Sequence, residues 1–262
     1  MFTKILYINL DRRTDRNTHV LDQLKKINWD GEVERISAVD GRIIDINDFS
    51  HLLTPSASQQ AKDTTHREFA PGSYMTKGSV GCALSHYNAW INIRNGNHDN
   101  VLIIEDDIFF DADFNNKLAS YIKLIPDYDI LYLGYHESKN PYQINKYFSR
   151  PDGIVFGTYA MLINKKAINK IMNLFPIDGQ IDSQLFNIYD KINVYHLNKD
   201  NIIVHGEHSF VNSFGSDIQI IEGFGNSYTS YLSNFILVLA IIILIFLLYI
   251  AFNTNKNKLV KL

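Results

Sequence analysis

Three consecutive acids, Glu105, Asp106 and Asp107, interrupt the apolar run VLIIEDDIFF at 101–110. Carboxylates set among residues that seek burial are costly unless something positive meets them. Adjacent carboxylates also repel, and some protonate unless a cation lies among them. A divalent ion would hold them ionised, and an all-oxygen donor set suits Mg²⁺, Mn²⁺ or Ca²⁺ rather than a structural zinc. Such an ion commonly bridges two phosphates of a nucleotide. Residues alternate along a strand, so Glu105 and Asp107 share one side while Asp106 faces away. A solvated turn whose acids cap the next helix accounts for the triplet equally well at this stage.

The elements that must position these acids are legible from periodicity. Residues 4–10, KILYINL, read as a buried strand, and 14–27 carry Val20, Leu21, Leu24 and Ile27 at helical spacing. A second strand spans 32–39 and ends at an Asp-Gly turn, so the opening strand, helix and strand suggest parallel pairing. Residues 42–77 are polar and irregular, as expected of a lid, a binding loop or a disordered segment. From Ser79 to Asn95 a helix places Val80, Leu84, Tyr87 and Ile91 on one face, leaves Ser85 and His86 off it, and stops at Gly96. Strands follow at 101–104 and 130–133, with a helix between them that starts at Asp111 or Asp113 and runs to Ile125. The apolar stretch 154–163 has Gly157 in its middle. Helices at 165–175 and 181–189 and strands at 194–197 and 202–205 close an α/β domain over 1–214. Open α/β sheets bind ligands at the carboxyl ends of their strands, which is where the acidic triplet lies.

The net charge is −3, and no basic cluster of five or more precedes residue 231, which argues against a nucleic-acid partner. Cys82 is the only cysteine, so neither an intramolecular disulfide nor a thiolate cluster can form. A linker at 215–230 leads into residues 231–252, which hold no charge. As a helix that segment spans roughly 33 Å, enough for a bilayer core of ~30 Å. Tyr228, Tyr231 and Tyr249 fit interfacial belts, and a basic tail occupies 253–262. The expectation is a single-pass membrane protein with a C-terminal anchor. No signal-peptide pattern opens the chain, and none of the 26 Asn residues starts a glycosylation sequon, so the domain at 1–214 is expected on the cytosolic side. Lys256, Lys258 and Lys261 point the other way, because positive tails favour the cytosol.

Six blocks in order carry a family resemblance: YINLDRRTDR (7–16), AVDGR (38–42), GSVGCALSHYNAW (78–90), LIIEDDIFFDADF (102–114), FGTYAMLINKKA (156–167) and IDSQLFN (181–187). The chain resembles glycosyltransferase family 25, and the GCALSH helix is the most specific match. The resemblance implies a GT-A type, Rossmann-like nucleotide-sugar-binding domain, dependent on Mn²⁺ (or Mg²⁺). It implies UDP-galactose or UDP-glucose as donor, an inverting reaction, and a hydroxyl acceptor on a glycan, a protein or a lipid-linked glycan. Donor and acceptor identity do not follow from family membership. A catalytically inactive relative acting as a membrane-anchored scaffold is the alternative. A metal-dependent phosphotransferase would use the same acids but leaves the GCALSH block unexplained.

The resemblance also suggests roles. Asp107, with Glu105 or Asp106, would hold the metal against the diphosphate, or Asp106 would contact the ribose. Asn9, Leu10 and Arg12, at the end of the first strand, would receive the nucleotide. Arg12, Arg13 and Arg16 would reach phosphate or position Asp15; the other reading of DRRTDR is a solvated helix start with internal salt bridges, favoured for Arg16. Lys77 and Ser79, at a helix N-terminus, would hold phosphate, and Ser85 and His86 would point into the site. Asp182 is the expected general base, with a helix N-cap as its other reading. Gly157 and Thr158 are expected in a strand that a ligand approaches closely. His205 or His208 would supply a third metal ligand.

Overall fold

The computed structural model describes residues 2–63 and 74–206. β1 (Lys4–Asn9), α1 (Thr14–Lys26) and β2 (Glu32–Ser37) form the opening unit, with the two strands in parallel. β3 (Asn100–Glu105) lies parallel on the other side of β1. Next come β4 (Ile108–Phe110), α4 (Phe114–Ile122), β5 (Ile130–Gly134) and four short strands: β6 (Glu137–Ser138), β7 (Tyr142–Gln143), β8 (Phe148–Arg150) and β9 (Val155–Phe156). β10 (Ala160–Asn164), α5 (Ile168–Met172), α6 (Ile181–Phe186), β11 (Val194–Leu197) and β12 (Val204–Gly206) complete the described chain.

Eight strands form the main sheet in the order β2-β1-β3-β10-β5-β11-β8-β7. β2, β1, β3, β5 and β11 run one way, and β10 is antiparallel to both of its neighbours. The result is a mixed α/β fold with a parallel-rich sheet. β1, β5 and most of β3 are buried along their length because helices cover both faces. Leu6, Ile103 and Met161 share one core with Trp90 and Leu84 of α3 (Lys77–Asn95). Ile5, Leu102 and Leu162 share the other with Val20 and Leu24 of α1 and Leu118 of α4.

Three local expectations change. The polar stretch after β2 contains a 3₁₀ turn, Ile46–Leu52, and a helix, α2 (Pro55–Lys62). Thr54 caps α2 by accepting from Ala57 N, Pro55 opens it, and Ala57 and Ala61 are its buried face. Gly157 and Thr158 lie between β9 and β10 rather than inside a strand; Gly157 has φ +94°, and a Cβ there would fall 2.8 Å from His136 Cδ2. The acids are followed by a further short strand, β4, which pairs with β12, so Asp106 and Asp107 form a tight turn between β3 and β4. Among the described residues no helix is long and apolar enough to cross a membrane. The linker, the expected anchor, the basic tail and His208 lie outside the described residues.

Candidate functional site

The positive partner demanded by the buried acids is Arg16. It lies on α1, is 5 % exposed, and donates to Asp106 Oδ1 at 2.8 Å, with Asp107 at 3.3 Å. This corrects the reading of Arg16 as part of a solvated helix start. Asn9, at the end of β1, donates to Asp106 Oδ2 at 2.7 Å and accepts from Arg35 at 2.9 Å. Burial drives the Asp106 carboxyl above its usual range, against the opposing pull of Arg16 and Asn9. Asp106 therefore anchors the turn, and it lines the cleft together with Arg16. Glu105 and Asp107 keep 30 % and 24 % of their side chains exposed; because the strand ends at Glu105 and Asp106 and Asp107 form a turn, strand alternation does not govern their directions, and Arg16 reaches both aspartates.

A cleft of about 140 Å³ opens at this turn, lined by Leu10 at the end of β1, by Val39 and Gly41 beyond β2, and by Gly78, Cys82 and His86 of α3. The GCALSH block builds that wall in two ways. Gly81 permits close packing, since a Cβ there would sit 2.5 Å from Val39 O. Ser85 Oγ donates to Gly81 O and accepts from Val39 N, which ties α3 to the segment beyond β2. One turn apart on the same helix, Cys82 and His86 face the cleft. His86 Nε2 lies 3.3 Å from Glu105 Oε1, and Thr158 Oγ1 donates to the same oxygen at 3.1 Å. Burial alone would raise the Glu105 carboxyl, but His86, Thr158 and the charge of His136 bring it below its usual value.

Asp182 enters from α6. It is the second residue of that helix, and Gln180 rather than Asp182 occupies the cap position. Its carboxylate accepts from the backbone N–H of Ser183 at 2.8 Å and from that of Gly157. Gly157 thus holds Asp182 while the next residue, Thr158, holds Glu105. Burial raises Asp182 above the ordinary range, the backbone N–H groups oppose that shift, and the charge of Glu105 adds to it.

Other expected residues sit at the periphery. Arg12 pairs with Asp40 at 2.8 Å on the rim. Ser79 is buried and bonded through its own N–H and hydroxyl to the helix cap Thr76, and Lys77 lies near Ile44 O, so both act at the start of α3 rather than as lining of the cleft. His205 is 3.9 Å from Asp111 and is not grouped with the triplet among the described residues. In its place, among the described residues, the ligand atoms of Cys82, His86 and Glu105 lie within 4.8 Å of one another. Burial and the nearby carboxylates push the Cys82 thiol well above its usual value. Glu105 and Asp107 present partly exposed oxygens of the kind a hard divalent ion takes; Arg16 engages both aspartates of the turn, Asp106 more closely than Asp107. Sequence reasoning missed Arg16, Cys82 and His136 as members of the site. The Cys-x₃-His spacing on a confident helix was the available signal for Cys82.

A family model described as glycosyltransferase family 25 (LPS biosynthesis protein) matches residues 2–156. The chain belongs to this family. It is similar to a glycosyltransferase 25 family member of Aedes aegypti, at 27 % identity over 76 % of this chain and 33 % of that one. Procollagen galactosyltransferase 1 of Danio rerio matches at 32 % identity over 51 % of this chain and 21 % of its own. The human protein named inactive glycosyltransferase 25 family member 3 matches at 29 % identity over 67 % of this chain and 29 % of its own. The chain spans a third or less of the length of these relatives.

Proposed function

We propose that the chain is a metal-dependent hexosyltransferase of the GT-A type that moves galactose or glucose from a UDP-sugar to a hydroxyl of a glycan or protein acceptor, with inversion. The observation that supports this reading is the nearness of two kinds of carboxylate, the acids of the turn and Asp182, whose charge and that of Glu105 act on each other. Glu105 and Asp107 are partly exposed at a strand end, while Asp182 is desolvated and held through Gly157. Glu105 and Asp107 would hold Mn²⁺ or Mg²⁺, which when bound supplies neutralising charge to the departing diphosphate. Leu10, Val39 and Gly41 form an apolar wall suited to a nucleoside. Asp182 takes the proton of the acceptor hydroxyl, and its desolvation strengthens it as a base. Arg16 and Asn9 position the acidic turn, and His86 and Thr158 orient Glu105.

The test is UDP release by the full chain in detergent, across a UDP-sugar panel, with Mn²⁺ or with EDTA. The expected result is slow metal-dependent release from UDP-galactose or UDP-glucose. Absence of UDP-sugar binding overturns the reading. A second reading, a non-catalytic binding protein, is favoured by the relative named inactive. It predicts UDP-sugar binding without turnover.

A further inference from the structure

A second cleft, of about 410 Å³, opens at the ends of β5 and β11, on the far side of β10 from the acidic turn. His136 lines it and also connects it to the first site. Its ring lies 4.8 Å from that of Tyr159, a Cβ on Gly157 would touch it, and its charge acts on Glu105.

His196 lies in the wall of this second cleft and is 1 % exposed. Its Nδ1 is 2.8 Å from Leu197 O. A carbonyl oxygen only accepts, so Nδ1 carries the hydrogen. Burial lowers the affinity of the ring for a second proton. Nε2 is therefore a bare acceptor, and it is buried with no protein partner. Ser138 Oγ, also in the lining, is likewise buried without one. An unmet buried polar group costs ~1–3 kcal/mol, so two in one cleft call for a ligand that supplies hydroxyl groups. Lys146 and Lys199 are matched in the lining by Glu137 and Asp200, which disfavours a polyanion such as a second nucleotide.

We propose that this cleft binds a neutral carbohydrate, with His196 Nε2 accepting from one sugar hydroxyl and Ser138 Oγ bonding to another. That the carbohydrate is the acceptor rests on the transferase reading; that the cleft binds sugar does not.

The experiment uses the full chain in detergent, labelled with ¹⁵N-histidine, with the His196 Nε2 resonance assigned by its loss in His196→Phe. Methyl β-galactoside and methyl β-glucoside are the probes, titrated without donor or metal. The expected result is a saturable shift of the His196 Nε2 resonance by at least one glycoside. Ser138→Ala, which keeps the reporter ring, weakens that binding about 2- to 10-fold, the value of one hydrogen bond. If neither glycoside moves the resonance, the occupant is a resident water only and the proposal is overturned. UDP-sugar binding is followed separately by calorimetry. Sugar at His196 without UDP-sugar binding keeps this site and removes the transferase reading; UDP-sugar turnover with an unmoved His196 does the reverse.

Discussion

Arg16 sets how the acidic turn behaves. With Asp106 buried against it, truncation strands a carboxylate rather than merely deleting a contact. Arg16→Met is expected to cost ~3–5 kcal/mol in urea unfolding, the usual penalty for breaking a buried pair from one side. Asp106→Asn/Arg16→Met, which removes both charges, should recover much of it. Asp107 differs because it is partly exposed. Asp107→Asn is expected to lower UDP release by about 10²-fold or more, with the melting temperature changed by only a few degrees. Collapse of the fold in that variant would make Asp107 structural. For Asp182 the sign follows from its raised pKa. The ionised form is the base, so kcat/KM should climb with pH along a limb lying above the ~4 of an unperturbed aspartate. Folding also favours its protonated form. Asp182→Asn should therefore abolish turnover yet stabilise the protein at neutral pH, and that gain should vanish as pH falls below the ordinary carboxylate range. A melting temperature that drops at neutral pH would contradict this assignment. The acids and Asp182 were legible as residues of interest because charge inside an apolar run is conspicuous. Arg16 was not, since its partner is 90 residues away and DRRTDR offers nearer acids.

At the scale of elements, long periodic segments were readable and exceptions to periodicity were not. The extents of α1, α3, β1 and β3 were readable, but their buried faces less so: Leu21 of α1 is exposed, and α3 buries Trp90 and Ile93 more completely than Tyr87 and Ile91. α2 escaped notice because its buried face is alanine, which leaves only Thr54 and Pro55 to mark it. The break between β9 and β10 escaped because Gly157 sits in an apolar run, where sequence alone does not separate a strand residue from one with positive φ. The same limit applies to Gly81, whose meaning is its approach to Val39 O. Gly81→Ala drives a methyl into backbone that cannot rotate aside, so α3 must shift. The expected cost is ~1–3 kcal/mol by thermal unfolding, together with weaker UDP-sugar binding, because Cys82 and His86 ride on that helix. Weaker binding without destabilisation would place the role of Gly81 in ligand contact instead.

For the whole molecule, antiparallel β10 divides the carboxyl edge of the sheet, with the acidic cleft at β1 and β3 and the histidine-lined cleft at β5 and β11. Gly157 and Thr158 lie just before β10, separated from it by Tyr159, so the loop that holds Asp182 and Glu105 stands between two compartments. That arrangement suits a reaction joining two substrates, and it raises the question of where the second one is met. Sixteen of the 22 residues in 231–252 are Leu, Ile, Val or Phe. On an insertion scale of about −0.3 to −0.6 kcal/mol each near the bilayer centre, they favour a membrane by roughly 5–10 kcal/mol. Ser233 and Asn234 lie near one end, where polar residues are tolerated. We therefore expect the full chain to resist alkaline extraction from membranes and to lose that resistance when two leucines near the middle, Leu244 and Leu247, are both changed to Lys, at ~2.5–3.5 kcal/mol apiece. Protease added to sealed vesicles distinguishes the orientations. Digestion of residues 1–214 from the cytosolic side agrees with the missing sequons, and protection there would mean that the lysines at 256, 258 and 261 set the topology instead.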